Sequence, residues 1–94
     1  MTDEMLRTVV EVAGAKFDEQ GVAAMAERQT LTLYLAHDGA TLSVGRVVRL
    51  ALRGHVLKAE DDQGEVFVLA LEDAFAASIA GPSGSSSRKA GFLR

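Results

Sequence analysis

Two histidines, a run of acids and a set of bases are the residues here whose types lend themselves to chemistry. His37 and His55 are the only histidines. A nucleophilic triad needs a base beside an activated hydroxyl and a carboxylate to orient it. Asp38 follows His37 directly, and neighbours along a strand point to opposite faces, so it is poorly placed as the orienting group. The candidate hydroxyls are Ser43, Ser78 and the serines near the end of the chain. None sits in a recognisable nucleophile turn. We therefore assign no catalytic residue and expect a protein that is not an enzyme. Asp61-Asp62-Gln63-Gly64-Glu65 offers hard oxygen ligands but lacks the spacing of a calcium loop. It reads as a solvated hairpin loop. No glycine-rich phosphate loop is present. Neither a metal nor a cofactor is expected.

The bases carry the stronger signal. Net charge is −3, but its distribution is uneven. Residues 28–58 contain Arg28, Arg46, Arg49, Arg53 and Lys58 against Asp38 alone, and the segments on either side are acidic. Arg46, Arg49, Arg53 and Lys58 fall in one strand-rich region and form a candidate binding face for nucleic acid or a cyclic dinucleotide, since affinity for phosphate backbones is largely charge neutralisation. Aromatic stacking partners are scarce and total charge is acidic, so nucleic acid is not the favoured ligand. A second candidate motif is the basic, partly apolar set Arg88, Lys89, Phe92, Leu93 and Arg94 on a Ser/Gly tether, of a kind that docks into a partner's groove.

These residues need a scaffold, and 94 residues provide for one domain. We expect a single α+β domain over 1–81 and a flexible basic tail over 82–94. So small a body buries a modest fraction of its surface, which favours self-association, most simply as a dimer. There is no cysteine, which fits a reducing cytoplasm. No apolar run approaches a membrane span, and the acidic Met1-Thr2-Asp3-Glu4 is unlike the basic start of a secretory signal. The chain has no Asn, one Ile and more Arg than Lys, as in proteins of GC-rich bacteria.

Residues 3–16 read as a helix capped by Thr2, with Asp3 and Glu4 in the first turn and Leu6, Val9, Val10, Ala13 and Phe17 on one face; the β-branched run Thr8-Val9-Val10-Glu11-Val12 leaves a strand as the alternative over residues 6–13. Asp18 is expected to cap a second short helix through Val22, Met25 and Ala26. An antiparallel meander of four to five strands follows, with a small barrel as one form it can take. Leu31, Leu33 and Leu35 alternate with polar residues. Asp38-Gly39 suits a type I′ hairpin turn, and Leu42 and Val44 return on the core face. Val48, Leu50 and Leu52 then face the core, and Val47, Arg49, Ala51 and Arg53 face away. A two-residue loop at Arg53-Gly54 pairs Leu50 with Leu57 and sets Arg49 opposite Lys58. A four-residue loop at 61–64 pairs Leu57 with Val68 and Ala59 with Val66. Glu65 to Leu71 is apolar on both faces, as in a strand covered on both sides. Glu72 to Ala80 reads as a short C-terminal helix ended by Gly81-Pro82, with Phe75 and Ile79 in the core.

Two short resemblances follow from these residues. Gly39-Ala40-Thr41-Leu42-Ser43-Val44-Gly45, followed by Val48, Leu50 and Leu52, resembles the opening hairpin of the carbon-storage-regulator family of small RNA-binding dimers. That family reads RNA with arginines just before the hairpin, where this chain has Ala36 and His37. Leu42 to Arg49 resembles a strand of PilZ domains, which bind cyclic dinucleotides, but their arginine-pair motif is absent. Neither resemblance is adopted. The reading that remains is a non-enzymatic interaction or regulatory module that self-associates and binds a protein partner.

Overall fold

A computed structural model of the chain describes residues 1–81. Helix α1 (Asp3–Val12) starts as its sequence predicts, with the Thr2 hydroxyl accepting the Met5 N–H at 3.0 Å and Asp3 and Glu4 in the first turn. Leu6 and Val10, one turn apart, are its buried residues. It stops at Val12 rather than at residue 16, because Ala13 and Gly14 close a tight turn back on Val9, Val10 and Glu11 carbonyls.

Six strands follow: β1 (Val22–Ala24), β2 (Thr30–His37), β3 (Ala40–Arg53), β4 (Val56–Asp61), β5 (Val66–Ala70) and, after a 3₁₀ turn over Leu71–Asp73, β6 (Ala74–Ala80). The class is α+β as expected, but two helices of the sequence reading are strands. Residues 22–24 lie in β1 against β3, and residues 74–80 form β6 against β2. Both segments supply partners to strands that otherwise expose a backbone edge, and that demand outweighs the helix-compatible spacing of Phe75 and Ile79. The expected basic tail over 82–94 lies outside the described residues.

All pairings are antiparallel, in the order β5-β4-β3-β2-β6, with β1 also on β3. Consecutive strands β5 and β6 thus occupy opposite ends of that path. Four strand spacings make roughly 19 Å across a flat sheet, whereas a three-residue 3₁₀ turn advances about 6 Å. The sheet must therefore curl until its ends meet at the Leu71–Asp73 corner. Among the described residues it stays open, because β5 pairs only with β4 and β6 only with β2; the small barrel is not formed. The curl encloses a core of Leu31, Leu33, Leu35, Val44, Val47, Leu50, Leu57 and Ala59, capped by Leu6 and Val10 of α1. No polar or charged residue is buried among the described residues.

Strand β3 makes this shape possible. Leu31 pairs with Val47 but Leu33 with Val44, and Val47 pairs with Asp61 but Arg49 with Glu60. Each step inserts one extra residue into β3. The two bulges, around Arg46 (φ +57°) and Val48, bend the strand and reset its alternation. Val44, Val47 and Leu50, three apart, all point inward. One expected face is corrected accordingly: Val47 is buried. Leu42 keeps the face of Val44, as expected, but is exposed because it lies near the hairpin tip, opposite Leu35.

The hairpins sharpen the register further. Asp38-Gly39 closes β2 on β3 as a two-residue loop with both residues at positive φ, the type I′ geometry read from the sequence. The β3–β4 loop is Gly54-His55, not Arg53-Gly54, so Leu50 faces Ala59 and Arg49 faces Glu60. This shift of two keeps the core set inward. The β4–β5 register differs by one, with Leu57 opposite Leu69 and Ala59 opposite Phe67. That turns Phe67 and Leu69 inward and leaves Val66 and Val68 exposed on an edge strand. Phe75, at a bulge between β2 and β6, is exposed as well.

The cause of the one-residue difference is a loop type used twice. In Asp61-Asp62-Gln63-Gly64-Glu65 the Asp61 carboxylate accepts the Gln63 and Glu65 N–H groups, Asp61 N–H bonds the Glu65 carbonyl and Gly64 N–H the Asp61 carbonyl. Asp18-Glu19-Gln20-Gly21-Val22 repeats every one of these bonds. Asp18 therefore caps a loop entering β1, not a helix. The glycines carry similar strain conditions, φ +79° at Gly21 and +85° at Gly64.

These twin loops allow a controlled comparison. Alanine at either glycine would be held at positive φ, at a cost of about 1 kcal/mol or somewhat more. At Gly64 the new Cβ meets nothing within 4 Å, but at Gly21 it would lie 2.6 Å from the Leu52 carbonyl oxygen. Gly21→Ala should lower the urea midpoint markedly more than Gly64→Ala; equal shifts would show that the Leu52 contact has no weight.

Candidate functional site

The basic residues lie on the outer face of β3 and β4 or at its margin, and the sheet register decides what each one meets. Arg49 stands opposite Glu60, Nε to Oε1 4.0 Å, and Arg46, at the bulge, lies 3.9 Å from Asp62. The expected Arg49–Lys58 pairing does not occur, because the loop begins one residue later than the sequence suggested. Lys58 faces Ala51 on one side and Val68 on the other, and Arg53 faces Val56. Arg49 and Lys58 still line one small hollow of about 140 Å³, but Glu60 lines it with them. The four bases are thus spread along the strands and interleaved with acids. The tail candidates Arg88, Lys89, Phe92, Leu93 and Arg94 lie outside the described residues.

A different grouping emerges at the open seam of the sheet. The tip of the β2–β3 hairpin and the end of β5 flank a cleft of about 360 Å³ lined by Leu35, Leu42, Val68 and Leu69, with His37 and Asp73 among its polar wall. Leu42 is 59% and Val68 66% exposed. Apolar side chains this open, clustered and rimmed by polar groups mark a contact surface more often than isolated exposed residues do. Sequence alternation assigned both residues inward. The missed signal for Val68 was the Asp-x-Gln-Gly loop ahead of β5, whose repetition at Asp18 was legible in the sequence.

His37 joins the hairpin tip to the 3₁₀ corner. Its Nδ1 lies 3.0 Å from an Asp73 carboxylate oxygen and its Nε2 lies 3.4 Å from Asp38. Asp38 reaches it because it sits in the turn at positive φ, where strand alternation does not apply. The hydrogen bond with Asp73 raises the His37 pKa first, the Asp73 charge adds to it, desolvation opposes, and Glu72 contributes a smaller increase. His55 occupies the β3–β4 turn, and its carbonyl accepts the Leu71 N–H at 2.8 Å.

A further hollow, about 710 Å³, runs along Lys16 to Gln20. Its Asp18 carboxylate is engaged by backbone amides, that of Val22 foremost and then Gln20, which hold its pKa below the ordinary carboxylate value. Among the described residues no three His, Asp or Glu side chains are grouped to hold a metal, and no helix is long and apolar enough to cross a membrane. No family model, no curated protein and no solved structure matches this chain.

The His37 contact predicts a specific titration. Because the folded pKa is raised, its contribution to stability is complete below the unfolded value near 6.5 and is lost as pH rises through the folded value. Nuclear magnetic resonance should place the His37 midpoint above that of His37 in an Asp73→Asn variant. Coincident midpoints would remove the Asp73 carboxylate as the cause.

Proposed function

We propose that this chain is a non-enzymatic interaction module of the bacterial cytoplasm that self-associates and binds a protein partner. The observation that carries this reading is strand β5. Among the described residues it is an edge strand with one backbone side unpaired, it bears no charged residue, and Val66 and Val68 are exposed on it. Edge strands in monomeric proteins are commonly blunted by charge, proline or bulges, and β5 has none of these. The cleft beside it is apolar along its length and polar at the His37–Asp73 end, which suits an extended segment with apolar side chains and a polar terminus.

The second reading is binding of nucleic acid or a cyclic dinucleotide through Arg46, Arg49, Arg53 and Lys58. Arg53 and Lys58 favour it, since they form no ion pair among the described residues; Arg46 and Arg49 count against it, since each already faces an acid.

Two measurements separate these readings. Light scattering from low to high micromolar concentration should show mass rising with concentration, and a strict monomer across that range overturns self-association. Titration with labelled RNA, DNA and cyclic dinucleotides at ~50 mM salt, where phosphate contacts are strong, should give no saturable binding. Saturation that disappears with Arg53→Ala and Lys58→Ala would instead install the second reading.

A further inference from the structure

Self-association leaves open which surface meets which, and the sequence of β5 answers that. We infer that two copies of this chain join through β5 alone, antiparallel and about a twofold axis through Val68, to give one continuous sheet across the dimer. The inference rests on the self-association reading above and specifies its geometry.

Three observations lead to it. First, the edge strands differ. β1 has only three residues, and its Val22 N–H and carbonyl are already bonded to Asp18. β6 is interrupted by the bulge at Phe75, and its Ala74 carbonyl already accepts the Met1 amino group at 2.6 Å. β5 pairs with β4 over Val66 to Ala70 without a register shift, and no hydrogen bond from another segment covers its outer edge among the described residues. A regular ladder offers evenly placed N–H and C=O groups to an incoming strand, and a bulged one does not.

Second, the strand is self-complementary. In Val66-Phe67-Val68-Leu69-Ala70, a twofold at Val68 sets Val68 against its own copy, Val66 against Ala70 and Phe67 against Leu69. Every opposed pair is apolar, on both faces. Val66, Val68 and Ala70 are exposed on the outer face and would be partly covered; Phe67 and Leu69 are half-buried and would lose their remaining exposure. Isologous contacts require this kind of agreement of a patch with itself.

Third, the flanking charges do not oppose the arrangement. The same register places Glu65 opposite Leu71 and Glu72 opposite Gly64, so no acid faces an acid across the axis. Lys58, the β4 neighbour of Val68 on the outer face, lies one strand back in each copy, where its alkyl stem can lie over the valines with its ammonium in water. A five-residue edge is small beside the roughly 1,200 Å² of a stable interface. The dimer should accordingly be concentration-dependent.

The symmetry makes the test selective, because residue 68 meets residue 68. Val68 is largely exposed, so substitutions there leave the core intact. Sedimentation equilibrium on the full chain would compare wild type, Val68→Lys, Val68→Glu and an equimolar mixture of the two variants. Val68→Lys, which places like charges directly opposite, should weaken the dimer by about tenfold or more. The mixture should form a heterodimer within a few-fold of wild-type affinity. If Val68→Lys weakens association and mixing does not restore it, the partner edge is not β5 and the twofold arrangement fails while self-association stands. If neither variant changes the association, β5 is not the interface. If wild type itself is a strict monomer, the self-association reading and this geometry fail together.

Discussion

The double bulge in β3 is the constraint from which the rest of this architecture follows. A regular fourteen-residue strand would run straight past its neighbours. With two extra residues near its middle, β3 pairs β2 along its first half and β4 along its second, and leaves room beside the second half for β1. The bend brings Val44, Val47 and Leu50 to the inside of the curl, where they meet the leucines of β2 and Leu6 and Val10 of the helix. Without it the ends of the sheet would not approach, and a three-residue turn would not carry the chain from β5 to β6.

The parts of this fold that depend on adjacent residues were legible in the sequence. Thr2 capping α1, the Asp38-Gly39 turn and the inward Leu31, Leu33 and Leu35 all rest on local chemistry, and each is found as read. What was not legible depends on how strands meet. Period-two alternation gives no sign of where a bulge adds a residue, so the face of Val47 was inverted, while Leu42 shares the face of Val44 as read and is exposed by its place near the hairpin tip. A loop one residue longer than assumed turned β5 over. Ala74 to Ala80 has weak strand preference of its own, and only the unpaired edge of β2 makes it a strand.

These same register errors governed the reading of the candidate site. A shift of two residues changed Arg49 from facing a lysine to facing Glu60, and so changed a concentrated basic face into one interleaved with acids. A shift of one residue moved Val66 and Val68 from a supposed interior to the surface. The described surface thus carries an apolar edge strand and a basic face already interleaved with acids. Composition and charge counts cannot make that distinction, because both surfaces have the same residues and differ only in who stands opposite whom.

The corner at Leu71–Asp73 has a further consequence for how the chain reaches this state. Strands β2 to β5 form a succession of hairpins, each closed by a short loop and each able to form early. β6 is different. Its ladder joins residues as distant as Thr30 and Ala80, so its closure entropy is met only after the hairpins are in place. Until then the outer edge of β2, rather than that of β6, is the open margin of the sheet opposite β5. The order of assembly thus places a transient sticky edge on the nascent protein. The short tether between β5 and β6 confines the covering strand to the vicinity of that edge, which limits how long it stays exposed.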